Sequence, residues 1–270
     1  MDWGLPGLLS GRLISRWVLA TIVICVPFLA ADAEESTLIT EDSSQSWLAN
    51  YDPTLIGRRV VSEFSYEEDS NGRTTAKIEN SARFAASPWK DVAVGMQILL
   101  PVQWSTTESG SASGLGDFEF LTGFYTRLSP SVRWGSGLKV KFPTATNPAL
   151  GSKTIELKPI LAVSWDVLSR FNVGFSAEYS ITPSNPGAGG VNKLELNFPI
   201  AYKFDPVWSA ALTYKPTFEF NTARIIQKMR VNATRLFGAQ KQFALSPAVE
   251  LPLSSQSFQW KVSVALSWYF

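Results

Sequence analysis

The strongest constraint on this chain is a period of two that persists to its last residue. In "VSVALSWYF", Val262, Val264, Leu266, Trp268 and Phe270 take every second position, with Ser263, Ala265, Ser267 and Tyr269 between them. In "VRWGSGLKVKF", Val132, Trp134, Ser136, Leu138, Val140 and Phe142 form one row, and Arg133, Gly135, Gly137, Lys139 and Lys141 the other. A helix would scatter both sets around its surface, whereas a strand sends alternate side chains to opposite faces. The same sorting recurs in "FEFLTGFYTRL", "FNVGFSAEYSI" and "KLELNFPIAYKF". From Arg58 onward the chain reads as all-β.

Alternation alone fits a soluble sandwich as well as a membrane barrel. Length separates the two: these segments run about 11 to 13 residues, against ~5–6 for a typical soluble strand and ~9–11 for a tilted strand crossing a bilayer. Aromatic side chains gather toward the ends of the apolar rows (Trp89, Trp104, Trp134, Trp165, Phe171, Tyr202, Trp208, Trp268, Phe270), where girdles form at the membrane interfaces. Tight connections ("ASPW", "LSPS", "DVLSR", "FDPV") alternate with longer or more polar ones ("EDSNGRT", "STTESGSASGLGD", "TATNPALGS", "TPSNPGAGG"). A sandwich has no reason to obey that rule. The expected fold is a transmembrane antiparallel up-and-down β-barrel with short periplasmic turns and longer external loops. Eleven segments alternate clearly, and the even count such barrels keep places a twelfth strand in the weakly patterned "RIIQKMRVNATRLF" near 224–236. Ten or fourteen strands stay open. Since no backbone group can go unpaired in lipid, the last strand must pair with the first.

The N-terminal segment has a different character. Arg12 and Arg16 precede the apolar run "WVLATIVICVPFLA", and Ala31-Asp32-Ala33 follows it. This is the build of a secretory signal peptide, expected over residues 1–33 and too short to span a membrane as a helix. The only cysteine, Cys25, lies inside it. Residues 34–57 show no period and read as a flexible arm, with a plug of the lumen left open. Residues 58–270 are the expected barrel. Export to the outer membrane of a Gram-negative bacterium follows, with outer-membrane lipid as surroundings. The terminal row of Val264, Leu266, Trp268 and Phe270 resembles the C-terminal signal that the outer-membrane assembly machinery recognises.

The chain contains no histidine, so a Ser-His relay cannot be built, and zinc sites resting on histidine are excluded with it. No catalytic residue, metal or cofactor is expected, and a net charge of +1 gives no basic tract for nucleic acid. Function then rests on the inward rows. They carry Arg59, Lys77, Arg83, Arg133, Lys139, Lys141, Lys158, Lys193, Lys203, Lys215 and Lys261 against Glu63, Glu79, Asp91, Glu119, Glu156, Glu178, Glu195, Glu219 and Glu250. Of these, Arg133, Lys139, Lys141, Lys158, Glu178, Lys193, Glu195, Lys215 and Glu219 are the residues expected to line a path through the lumen. Two readings remain: a polar channel with a modest cationic excess, or a filled, non-conducting barrel with a structural or surface-interaction role. The Gly/Ser-rich stretch Ser105 to Gly116 reads as a flexible external loop.

One resemblance bears on the choice. "GLGDFEFLTGFYTRL", "WGSGLKVKFPTAT" and "ALGSKTIELKPILAVSWD" hold Gly114, Gly116, Asp117, Pro143, Thr144, Leu150 and Gly151 at turn positions. The set resembles a bacterial family of outer-membrane transporters named after a phenol meta-pathway gene product. Ala145 stands where that family often has glycine. The resemblance implies a barrel that passes small apolar or aromatic compounds across the outer membrane, without fixing the solute.

Overall fold

The computed structural model describes residues 58–270 except 70–71, 90, 108–109, 184–189 and 255–257. The expected signal peptide and arm lie outside the described residues. Thirteen strands follow one another: β1 (Arg59–Asp69), β2 (Thr74–Trp89), β3 (Val92–Thr107), β4 (Gly110–Leu115), β5 (Glu119–Ser129), β6 (Val132–Lys141), β7 (Glu156–Leu168), β8 (Phe171–Ile181), β9 (Asn192–Lys203), β10 (Trp208–Glu219), β11 (Arg224–Phe237), β12 (Phe243–Pro252) and β13 (Phe258–Tyr269). Twelve of them form a closed antiparallel barrel in chain order. The ring is sealed by β1 against β13, from Arg59↔Tyr269 to Glu67↔Lys261 without a slip.

β4 is not an extra stave. It pairs with the far end of β3 (Val102↔Leu115 to Thr107↔Gly110), while β5 pairs with the near end (Leu99↔Glu119 to Val92↔Thr126). Between them the Gly116 N–H donates to the Pro101 carbonyl. β4 and β5 are thus one long strand interrupted at Gly116–Phe118. This corrects the expectation of a loose loop over 105–116. Most of that Gly/Ser-rich stretch is sheet, because the β3 backbone offers a full row of partners and short side chains do not hinder pairing.

The two faces sort as a barrel in lipid requires. Along β13, Val264 and Leu266 are 44% and 49% exposed, while Ser263, Ala265 and Ser267 between them are buried. Trp89, Trp165, Tyr202, Phe204, Trp208, Phe237, Trp268 and Phe270 stand outward near the short-turn rim. The Arg235 guanidinium lies 5.4 Å from the Trp208 ring centre there. At the opposite rim the pairs Tyr66–Trp260, Phe118–Phe142 and Tyr179–Phe220 stand 5.3–6.3 Å apart. Two aromatic belts separated by an apolar band match the two interfaces of a bilayer.

β11 shows why its sequence pattern is weak. Its outward row includes Gln227 and Arg235, and its inward row includes Ile226 and Leu236. Three of these exceptions have a local partner. Gln227 accepts from the Tyr214 hydroxyl at 3.0 Å, Arg235 stacks on Trp208, and Leu236, 2% exposed, packs inward with Ala201, Ala211 and Ala244.

Candidate functional site

The inward wall carries its charges in an unusual order. Across adjacent strands, like charges stand directly opposite at six places: Arg59↔Arg83 and Glu63↔Glu79, Arg127↔Arg133, Lys139↔Lys158, Glu178↔Glu195, and Lys215↔Lys228. Such neighbours repel, so the side chains reach past them. Lys139 Nζ on β6 meets Glu178 on β8 at 2.6 Å, and Lys158 on β7 meets Glu119 on β5 at 3.2 Å. Lys215 on β10 meets Glu250 on β12 at 3.3 Å, and Arg230 on β11 meets Glu63 on β1 at 3.3 Å. Lys141 lies between Asp117 (3.3 Å) and Glu156 (3.7 Å). Four of these ion pairs, those of Lys139, Lys158, Lys215 and Arg230, are chords that skip at least one strand and brace the wall from inside; Lys141 and Glu156 face each other on neighbouring strands.

Arg133 is committed to this framework. It is 1% exposed and donates to both Asp166 carboxylate oxygens at 2.7 and 3.0 Å, while Asn172 donates to the same carboxylate at 2.7 Å. A guanidinium held by two parallel bonds and buried is a brace. Lys193 and Glu219 face each other across β9 and β10 near the long-loop rim, where the Thr222 hydroxyl donates to Glu219 at 2.9 Å. Glu195 stands opposite Thr217 and Glu178. Sequence reading missed Lys228, Arg230 and Asp166: the first two fall in the weakly patterned β11, and Asp166 was absorbed into the turn "DVLSR".

The turn motif, scattered over 38 residues of sequence, converges in space. The Asp117 carboxylate, 2% exposed, accepts from the N–H groups of Thr144 (3.1 Å) and Ala145 (3.0 Å) and from the Ser152 N–H and hydroxyl. In return the Thr144 hydroxyl accepts from the Phe118 N–H at 2.9 Å. The Gln103 amide, which packs against Gly116, donates to the Leu150 carbonyl. Gly151 sits against the Asp117 carboxylate, where any side chain would collide with it. Gly114 has φ +154° and lies against Thr146, which leaves no room for a Cβ. Pro143 enters this loop just ahead of Thr144. The residues form one knot that ties the β6–β7 loop to the sheet at the joint between β4 and β5. Burial pushes the Asp117 carboxyl up. The Ser152 donors, the Ala145 N–H and the Lys141 ammonium outweigh that, and its pKa lies below the usual carboxylate value.

A cavity of about 360 Å³ opens on the inner wall over β2, β3 and β5–β9. Its floor is cut low by Gly95, Gly123 and Gly137, which face one another in register across β3, β5 and β6. A Cβ at Gly123 would stand 2.6 Å from the Ser136 carbonyl oxygen, and one at Gly137 2.8 Å from that of Thr122. The backbones approach more closely there than any side chain allows, and the missing side chains leave space inside. Leu99, Leu121, Tyr125 and Ile160 border that floor, with Glu79, Arg83, Gln97, Glu119, Lys139 and Glu178 as the charged and polar ring. Among the described residues no cluster of acidic or sulfur side chains could hold a metal ion.

No protein-family model matches the chain, and no curated protein matches it in sequence. Its fold does match solved structures. The crystal structure of the COG4313 outer membrane channel from Pseudomonas putida F1 superposes with a TM-score of 0.69 at 15% identity, covering 82% of this chain and 98% of that one. The CymD monoaromatic hydrocarbon channel gives 0.52 at 8% identity, covering 89% and 94%. The outer membrane phospholipase of Salmonella typhi gives 0.51 at 13% identity, covering 87% and 98%. A channel and an enzyme thus share the architecture, and at these identities the likeness is one of fold: this chain is built as an outer-membrane β-barrel.

Proposed function

We propose that this barrel is an outer-membrane channel, a passive transporter of small solutes that include apolar or aromatic ones. The observation that carries the reading is the cavity on the inner wall, where a glycine floor and a ring of charged and polar side chains leave room for a solute. The resemblance of the Asp117 knot to a transporter family, and the channels among the structural neighbours, support it. A non-enzymatic role is favoured over the phospholipase-like alternative because these residues offer no histidine to act as a base.

The test is planar-bilayer conductance of the refolded protein under a salt gradient. Discrete steps with a reversal potential toward anions are expected, since the inward rows carry a small cationic excess. Lys139→Gln removes one positive charge and releases Glu178, so the reversal potential should move toward cations. Silence from protein shown by heat-modifiable mobility to be folded would sink the channel reading in favour of a filled structural barrel.

The proposal extends to assembly. The outward row ending in Trp268 and Phe270, whose rings stand 5.3 Å apart, is read as the stretch offered to the assembly machinery. Phe270→Ala should slow insertion in cells several-fold while leaving the melting temperature of the finished barrel nearly unchanged. Equal effects on both would reduce Phe270 to an ordinary lipid-facing side chain.

A further inference from the structure

The charges around the inner-wall cavity do not balance locally. Its three carboxylates are all engaged: Glu79 with Lys77, Glu119 with Lys158, and Glu178 with Lys139. Lys139 is used up in the last of these pairs. Arg83 is the remaining cation of the lining, and among the described residues no carboxylate pairs with it. Its Nε donates to the Gln97 side-chain carbonyl at 2.8 Å, an arrangement that fixes the guanidinium plane without neutralising it. Directly across on β1 stands another cation, Arg59.

A guanidinium held by a neutral amide keeps N–H groups in the fork that matches a carboxylate. Beside it lies an apolar bed: the floor at Gly95, Gly123 and Gly137, flanked by Leu99, Leu121 and Ile160. Leu121 is in register with Gln97, and Gln97 with Arg83, so the apolar bed and the cationic corner lie on one row across three strands. A volume of about 360 Å³ is at the small end of small-molecule sites, ~300–1,000 Å³.

We infer that this cavity binds a small apolar carboxylate, an acid with a ring or short hydrocarbon body. The body lies on the glycine floor and the carboxylate engages Arg83. The inference rests on the reading of the lumen as a solute path and narrows the solute to an anion. Neutral hydrocarbons would leave the guanidinium without a counter-charge in a confined space, and simple inorganic anions would leave the apolar floor wet. A solute carrying both features satisfies both.

Calorimetric titration of the full chain, refolded into detergent micelles, tests this with three probes. Benzoate carries ring and charge, benzyl alcohol the ring, and acetate the charge. Benzoate is expected to bind at least tenfold more tightly than either of the others. Arg83→Gln should weaken benzoate at least tenfold with little effect on benzyl alcohol. A second variant guards against a folding defect: Gln97→Glu keeps the arginine but gives it a carboxylate of its own, and should weaken benzoate to the same degree. Benzoate no tighter than benzyl alcohol, or unaffected by Gln97→Glu in folded protein, overturns the site. Conductance separates the two readings. Current without Arg83-dependent benzoate binding sinks the site and leaves the channel; benzoate binding in a barrel that never conducts sinks the channel and leaves the site.

Discussion

Leu138→Arg is expected to block assembly of the barrel, whereas a change one residue along is tolerated. Leu138 lies on the outward face of β6, 41% exposed, between the two aromatic belts and beside Thr122 and Pro159 of the neighbouring strands. A guanidinium placed there must enter the apolar band of the membrane, at a cost of about 2–4 kcal/mol near the midplane. Lys139 points the other way, into the lumen, where it pairs with Glu178 at 2.6 Å. Lys139→Met removes a largely shielded ion pair and leaves Glu178 facing Glu195, a loss of about 1–2 kcal/mol that leaves the lipid face and assembly intact. Equilibrium unfolding in urea from lipid vesicles would measure both. Similar losses for the two variants would mean that the faces of β6 are reversed.

Asp117→Ala should release the β6–β7 loop. One carboxylate satisfies three backbone N–H groups and a hydroxyl, with the Lys141 ammonium at 3.3 Å. Removing it leaves the Ala145 and Ser152 N–H groups without their acceptor, while the Thr144 N–H keeps the Phe142 carbonyl and the Ser152 hydroxyl the Thr154 carbonyl, a local loss of roughly 2–3 kcal/mol. Amide exchange at Ala145 and Ser152 should then speed up roughly 30- to 150-fold, at about tenfold per 1.4 kcal/mol, while amides inside β6 and β7 keep their protection. The same carboxylate sets a pH dependence. Its pKa is depressed in the folded protein, so its contribution is fully present above the unfolded value of about 3.9 and is lost as pH falls through the folded value. Loop protection should hold to about pH 4 and fall in stronger acid. Asp117→Asn should lack the acid step and show the loosened loop already at neutral pH. Unchanged protection in Asp117→Ala would mean that the Thr144 and Thr146 contacts hold the loop alone.

What could be read from sequence follows from which forces act locally. The alternation of β6, β8, β9 and β13 is imposed by lipid on one side and water or charge on the other, so each strand carries the signal within itself. β11 does not, because Gln227 and Arg235 are tolerated outward only through Tyr214 and Trp208, which belong to another strand. The 105–116 hairpin was misjudged for the same reason: Gly and Ser carry little preference, and the β3 edge decides. The inward rows could be listed from parity alone, but not their pairing. Nothing in the neighbourhood of Lys139 points to Glu178, since the two meet only once the sheet has curled. The turn glycines and Asp117 were visible as a pattern, and their convergence was not.

The chords across the lumen also bear on how large this barrel can be. A hairpin could be added or removed without leaving any backbone group unpaired, since it leaves and returns at the same rim. Hydrogen bonding alone therefore does not set the circumference. The ion pairs do discriminate, for Lys139–Glu178 and Lys158–Glu119 each join residues 39 apart, and Lys215–Glu250 residues 35 apart. Each spans about one hairpin of chain. Duplicating or deleting a hairpin within β5–β8 or β10–β12 would set like charges side by side without the chord that relieves them. The circumference of the barrel is thereby marked in its charges as well as in its backbone.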